Sequence, residues 1–222
     1  MEKIVVPKRY VVVAGNVGAG KTEFVSAVAS VFNWQPFYEP HGRNPFLWRY
    51  YLDPKPWGFR TQAFFLGSRI LLHQQIDNYP RSVIQDRSIW EDAYVFARAL
   101  QTKHYMTLAE YHTYQLLFQA GTANLHRPDL VVYIRTPWPI CMQRIGKRGR
   151  KYEKGVTPAY IRLLDRLYEE WIAGFDLCPV LVIPGEVYDW RLKPDGINNG
   201  HLELVASMVD QALHGVKVVT FD

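Results

Sequence analysis

Apolar residues fall along this chain in two patterns. In short unbroken runs rich in β-branched residues they read as strands covered on both faces. Such runs lie at 10–14 (YVVVA), 81–85 (RSVIQ), 130–134 (LVVYI) and 180–183, and a short further strand ends near Tyr38 and Glu39. Elsewhere apolar positions recur every three or four residues, as in Phe24, Val25, Val28, Val31 and Phe32, the period of a helix with one buried face. Comparable stretches predict helices over about 45–51, 57–77, 90–100, 108–123, 137–148, 158–172 and 199–214. Asp53-Pro54-Lys55-Pro56 separates the first two of these, residues 40–43 form a loop, and 149–157 form a basic loop. Strand and helix in alternation predict an α/β fold with a parallel sheet covered on both faces.

Composition narrows the class. The 222 residues fit one α/β domain over 1–222. With 48% hydrophobic and 21% charged residues the chain builds a core, which excludes disorder and low-complexity function. No run of 18 apolar residues occurs, so no membrane span is expected, and residues 1–10 lack the apolar run of a secretory signal. Cys141 and Cys178 are too few for a disulfide framework or a zinc site. They read as plain thiols of a reducing compartment, hence a cytoplasmic protein. The net charge of +5 is concentrated: Arg144, Lys147, Arg148, Arg150, Lys151 and Lys154 stand against Glu153 alone, an excess equal to that of the whole chain. That marks a local anion site rather than a nucleic-acid surface.

The run Gly15, Asn16, Val17, Gly18, Ala19, Gly20, Lys21, Thr22 matches G-x-x-x-x-G-K-[ST] between a predicted strand and an amphipathic helix. Glycines there let successive backbone N–H groups converge on phosphate oxygens. The helix N-terminus adds its dipole. Lys21 is expected to neutralise charge on the β- and γ-phosphates, and the Thr22 hydroxyl can hold Mg²⁺. The motif predicts nucleotide binding, and five strands with about eight helices fit a P-loop kinase arrangement. No N-K-x-D guanine reader accompanies it.

Ligands of open α/β sheets bind beyond the carboxyl ends of the strands. Glu39 ends the second predicted strand, and Asp86 with Arg87 ends the third. A carboxylate there takes an acceptor's proton or holds Mg²⁺, and an arginine clamps a phosphoryl group. On the helix expected at 57–77, Gln62 and Arg69 are two turns apart with Phe65 between, a face that suits a heterocyclic base.

With these residues in place the chain resembles the deoxyribonucleoside kinase family, in particular its bacterial deoxyadenosine/deoxyguanosine kinase branch. The resemblance runs from Tyr10 to about Gly185 through GNVGAGKT, YEPHGRNPFLWRYYLD, WGFRTQAFFLGSR, DRSIWEDAYVFA, PDLVVYIRT and RIGKRGRKYE. It implies phosphorylation of a deoxyribonucleoside 5′-hydroxyl by ATP with Mg²⁺. Glu39 would be the general base, Arg87 would contact the 5′-oxygen and the phosphoryl group, and Thr22 and Asp86 would attend the metal. Tyr51 and Glu153 would hold the sugar 3′-hydroxyl. Gln62, Arg69 and Asp92 would read the base edge, with Phe96 and Phe65 on its face. Arg144, Arg148 and Arg150, in a lid over about 144–157, would clamp the ATP phosphates. His41 stands where the family commonly has valine. The sugar-facing role is open between Asn44 and Trp48, and Trp138 and Tyr188 match no role and read as structural.

Donor–acceptor accounting then orders the bases. An ionised Asp92 only accepts and Arg69 only donates, so a base with an exocyclic amine is favoured and thymine is disfavoured. Deoxyadenosine is expected first, then deoxycytidine or deoxyguanosine. Three alternatives stand beside this. One is a nucleoside monophosphate kinase that recruits Arg43, Arg49 and Arg69. Another is a non-catalytic assembly subunit, and the last is a nucleic-acid patch at 144–154. The resemblance also implies a homodimer, for which the helices at 90–100 and 108–123 are the expected faces.

Overall fold

The computed structural model describes residues 7–38, 44–150, 153, 155–191 and 200–216. Five strands form one all-parallel sheet: β1 (Tyr10–Ala14), β2 (Gln35–Phe37), β3 (Val83–Asp86), β4 (Leu130–Arg135) and β5 (Val180–Pro184). Their order is β2-β3-β1-β4-β5. Val13 lies opposite Asp86 on one side and Val132 on the other. Every residue of β1 and β3 is buried, as a strand covered on both faces must be.

Eight helices complete the described residues. They are α1 (Lys21–Phe32), α2 (Leu47–Leu52), α3 (Pro54–Asn78), a run α4, α5 (Leu108–Thr122), α6 (Trp138–Arg148), α7 (Pro158–Ala173) and α8 (His201–Leu213). The run α4 starts as α-helix at Ile89–Glu91, widens to a π segment over Asp92–Ala97 and closes as α-helix over Arg98–Thr102. Helix α1 packs on α8, while α3, α5 and α7 each pack on the π segment.

Two expectations need correction. Asp53 to Pro56 do not form a spacer: α3 starts at Pro54 with Asp53 as its N-cap residue. Proline is tolerated in a first turn, where its missing N–H would have had no intrahelical partner. The helix expected at 90–100 is not uniform either, because its middle turn is π rather than α. An apolar pattern of period 3.6 does not announce that change.

Candidate active site

The loop after β1 is held from behind. Arg144 donates from Nη1 to the Ala19 carbonyl (2.9 Å) and from Nη2 to that of Gly185 (2.8 Å). Trp190 Nε1 donates to the Gly20 carbonyl at 3.3 Å. The Asn16 side chain donates to Ile161 O (3.0 Å) on α7 and accepts from Val17 N (2.8 Å). Gly18 has φ +83°, and a β-carbon there would lie 2.7 Å from the Cys141 carbonyl oxygen. Only glycine fits such a position. Lys21 is buried inside the loop, with Nζ 2.7 Å from Gly15 O and 3.0 Å from Asn16 O.

Beside the loop, Thr22 Oγ1 donates to Asp86 Oδ2 at 2.6 Å. Register explains the pairing, because β1 and β3 are neighbours and both end here. A hydroxyl and a carboxylate oxygen are hard ligands of the kind Mg²⁺ takes alongside substrate phosphates. No group of three or more His, Cys, Asp or Glu side chains among the described residues is placed to hold a metal without such a substrate.

Arg87 adopts a left-handed backbone, φ +68°, uncommon for a residue with a side chain. The strain is held at both ends of the residue. Its N–H donates to Val13 O at 3.0 Å, and its carbonyl accepts from Arg69 Nη1 at 3.1 Å. Its guanidinium sits 4.4 Å from the centre of the Phe96 ring, within cation–π range.

The far end of the site comes from two helices. Gln62, Phe65 and Arg69 project from α3, Asp92 and Phe96 from the π segment of α4. Arg69 Nε and Asp92 Oδ2 form a buried ion pair at 2.8 Å. The Gln62 amide oxygen is buried and has no hydrogen-bond partner among the described residues. An acceptor so placed costs free energy until a donor reaches it.

A cavity of about 290 Å³ joins the two ends. Gly18, Lys21, Thr22, Asp86 and Arg87 line it on the phosphate side. Gln62, Phe65, Asp92 and Phe96 line it on the other. Tyr51, Arg148, Arg150 and Glu153 also face it, and Arg144 and Arg69 are not in its lining. Arg144 was expected in a phosphate clamp, but its two Nη atoms brace the loop backbone. Arg148, one turn further along α6, reaches the cavity instead. Glu153, expected on the sugar, is buried and grips Arg148 with both oxygens, Nε to Oε2 at 3.2 Å. Its distance to Arg150 is 3.9 Å. An acid among so many cations pairs with the nearest of them.

Glu39, His41 and Arg43 lie outside the described residues, as do Lys151, Tyr152 and Lys154. Of the sugar-facing candidates, Asn44 donates to Thr61 O (3.1 Å) and accepts from Phe46 N (3.0 Å), which fixes the entry to α2. Trp48 is 60% exposed. Arg49 lies 5.0 Å from the Trp48 ring and 4.7 Å from that of Trp57, away from the cavity lining. Trp138 packs under Arg162, and Tyr188 meets His201 edge-on at 5.8 Å.

Sequence reasoning missed Thr61, Tyr50 and Tyr160, which line the cavity as well. Burial raises both phenols well above the usual tyrosine range, with each ring also acting on its neighbours. They therefore offer the cavity O–H groups, not phenolates. Thr61 was findable from its place beside Gln62, whereas nothing in the sequence pairs Tyr50 with Tyr160.

A phosphate loop at the end of a central parallel strand, with an acid and an arginine on the adjacent strand, defines a P-loop phosphotransferase. Comparison with known proteins narrows this. The family model for deoxynucleoside kinases matches residues 11–202. A deoxyadenosine/deoxycytidine kinase of Bacillus subtilis is 33% identical over 207 residues, 92% of this chain and 95% of the relative. A deoxyguanosine kinase of Lactobacillus acidophilus is 33% identical over 189 residues, covering 81% of this chain and 82% of its own. Among solved structures, deoxyadenosine kinase from M. mycoides with bound dATP superposes with a TM-score of 0.77 at 25% identity, covering 91% of this chain and 99% of that one. The chain belongs to the deoxynucleoside kinase family, and it is an ATP-dependent enzyme of that class.

Proposed function

We propose that this enzyme transfers the γ-phosphoryl group of ATP to the 5′-hydroxyl of a deoxyribonucleoside in nucleotide salvage, with deoxyadenosine preferred over deoxycytidine and deoxyguanosine. The observation that carries this reading is one continuous cavity with a phosphate loop at one end and buried Gln62 and Asp92 beside half-buried Phe96 at the other.

In this reading the triphosphate lies along residues 15–22 and Lys21 swings from its own loop carbonyls to the phosphates. Thr22 and Asp86 are the residues that would hold Mg²⁺, which supplies charge neutralisation on the phosphate oxygens. Glu39 takes the 5′-hydroxyl proton as the oxygen attacks phosphorus. Arg87, already braced through its backbone, stabilises charge on the transferred group, and Arg148 and Arg150 close from the lid. Phosphoryl transfer asks for little else, since positioning and electrostatics carry most of the catalysis. Tyr51 faces the sugar. Glu153 reaches the 3′-hydroxyl when substrate displaces one of its arginine contacts.

Gln62 offers an acceptor and Asp92 holds Arg69 in place, so a base that donates from an exocyclic amine satisfies both. A thymine would set its O4 against those acceptors. Exposed Tyr94, Leu108, Leu116 and Leu117 on α4 and α5 support a homodimer through these helices, which light scattering tests. No helix among the described residues is long and apolar enough to cross a membrane. The supply of ATP and the free thiols Cys141 and Cys178 support a cytoplasmic setting. The deciding experiment is ATP-dependent phosphorylation of the four deoxynucleosides, with Glu39→Gln in parallel. Deoxyadenosine turnover that the variant loses supports the reading, and thymidine ranking first overturns the base assignment.

A further inference from the structure

Glu91 has no part in the cavity lining, yet it is completely buried. A carboxylate is costly in such a place unless donors surround it. Its donors come from three elements. Oε1 accepts from the N–H of Gly15, the first residue of the phosphate loop (3.4 Å), and from the Tyr168 hydroxyl on α7. Oε2 accepts from the N–H of Ser88 (3.4 Å). The Glu91 N–H in turn goes to Ser88 Oγ at 3.4 Å, closing a capping box at the start of α4. A capping box needs the Ser88 contacts alone. The reach to Gly15 and Tyr168 exceeds that need.

Gly15 immediately follows β1, and Ser88 follows β3 by two residues. Between β3 and Ser88 stands Arg87 with its left-handed backbone. The peptide joining Arg87 to Ser88 is therefore held from both sides, its carbonyl by Arg69 and its N–H by Glu91. Both amide contacts are long, so their strength lies in the charge of the acceptor acting on two N–H dipoles.

We infer that Glu91 is a positioning residue, which fixes the phosphate loop and the Arg87 turn relative to each other for phosphoryl transfer. The inference rests on the reaction proposed above. A glutamine is the sharpest probe because it keeps the shape and cannot satisfy the donors. Its amide has one oxygen and one NH₂. Whichever way it lies, the NH₂ faces the N–H of Gly15 or of Ser88. The Tyr168 hydroxyl can rotate to accept, and a backbone N–H cannot.

The experiment measures kcat and KM for deoxyadenosine and ATP in the parent enzyme, Glu91→Gln, Glu91→Asp and Tyr168→Phe. For Glu91→Gln we expect kcat to fall about 10- to 100-fold, the scale of a small misplacement of reacting groups. Both KM values should stay within about threefold and the pH profile should keep its shape, because Glu91 exchanges no proton with substrate. Glu91→Asp, which keeps the charge on a shorter arm, should recover part of the loss. Tyr168→Phe should keep kcat within about threefold, since both amide contacts survive it. In an Arg87→Lys background the further loss from Glu91→Gln should shrink to about threefold or less, as residues acting as a unit are not additive.

A Glu91→Gln enzyme with parental kcat overturns the inference. So does one altered only in KM, a Tyr168→Phe enzyme equally impaired, or a full additional loss in the Arg87→Lys background. If neither Glu91 variant folds, the carboxylate serves the fold and the inference fails. A parent enzyme inactive on all four deoxynucleosides is a different result: it removes the acceptor assignment, and this inference with it.

Discussion

The two ends of the cavity are built from different materials. The phosphate end is a backbone loop shaped by Gly18 and Gly20 and braced from outside by Arg144, Trp190 and Asn16, with the side chains of Lys21, Thr22, Asp86 and Arg87 set around it. The other end, proposed for the base, is side chain: Gln62, Asp92 and Phe96 carried on α3 and α4, with Arg69 paired to Asp92 outside the lining. A loop and charges aimed at phosphate serve every nucleoside alike, whereas an end made of side chains can be re-addressed one residue at a time. The relatives fit that division, since members of one family carry deoxyadenosine, deoxycytidine and deoxyguanosine in their names.

The sharpest test of this contrast is Lys21→Met. It should lower kcat by about 10³-fold for every nucleoside alike, near the upper range for one preorganised charge on a reacting group. Loss that depended on the base would break the division. Asp92→Asn addresses the other end. It removes the negative charge opposite Arg69 Nε and should cost about 2–3 kcal/mol of stability in a denaturant titration. It should also raise thymidine relative to deoxyadenosine in a competition assay, and an unchanged ranking would remove Asp92 from base reading.

Glu153→Gln should act more mildly. It frees Arg148, whose side chain is one-third exposed, and should shift KM for nucleoside by about threefold to tenfold, roughly 1 kcal/mol. Titration of KM over both substrates checks whether the change falls on the nucleoside or on ATP.

The smallest effect concerns pH. His73, on α3, packs edge-on against Tyr10 and Trp90. Burial holds it below its ordinary value, against the pull of Asp77 and the carbonyl of His126. The unfolded chain therefore takes up this proton first, and stability is fully present above about pH 6.5. It falls as the pH drops from there towards the lower folded value, which acid-side denaturant titrations would read as a small loss. Hydrogen exchange should show α3 loosening before α1. Equal loosening of both would mean that the two ends share one unit of stability.

Legibility in the sequence follows the same contrast. The phosphate loop is a local object, eight consecutive residues between a strand and a helix, so its residue types and its place were both readable. The closeness of Thr22 and Asp86, expected as two metal ligands, was readable because strand ends converge in any parallel sheet; their direct hydrogen bond was not. The role of Arg144 was not readable, since its partners, Ala19 and Gly185, are backbone carbonyls far away in the chain. Glu91 was overlooked beside Asp92 in part for the same reason: its Ser88 contacts are local, but its other donors sit at 15 and 168. The cavity tyrosines Tyr50 and Tyr160 meet across 110 positions. Proline placement misled in a different way, because a first helical turn tolerates what a helix interior rejects.

The π segment of α4 has a consequence for how this protein can change. One turn holding an additional residue turns everything beyond it by about 100° relative to everything before it. Glu91 and Ser88 on one side can thus stay in phase with the strands, while Leu100 on the other stays in phase with the core. Deleting a single residue between 92 and 97 would restore a regular helix and bring the two halves into one phase. Such a protein would gain ordinary helix geometry and lose either its packing or the face it presents to the cavity. Length polymorphism should therefore be tolerated in the loops around this helix and selected against inside that one turn.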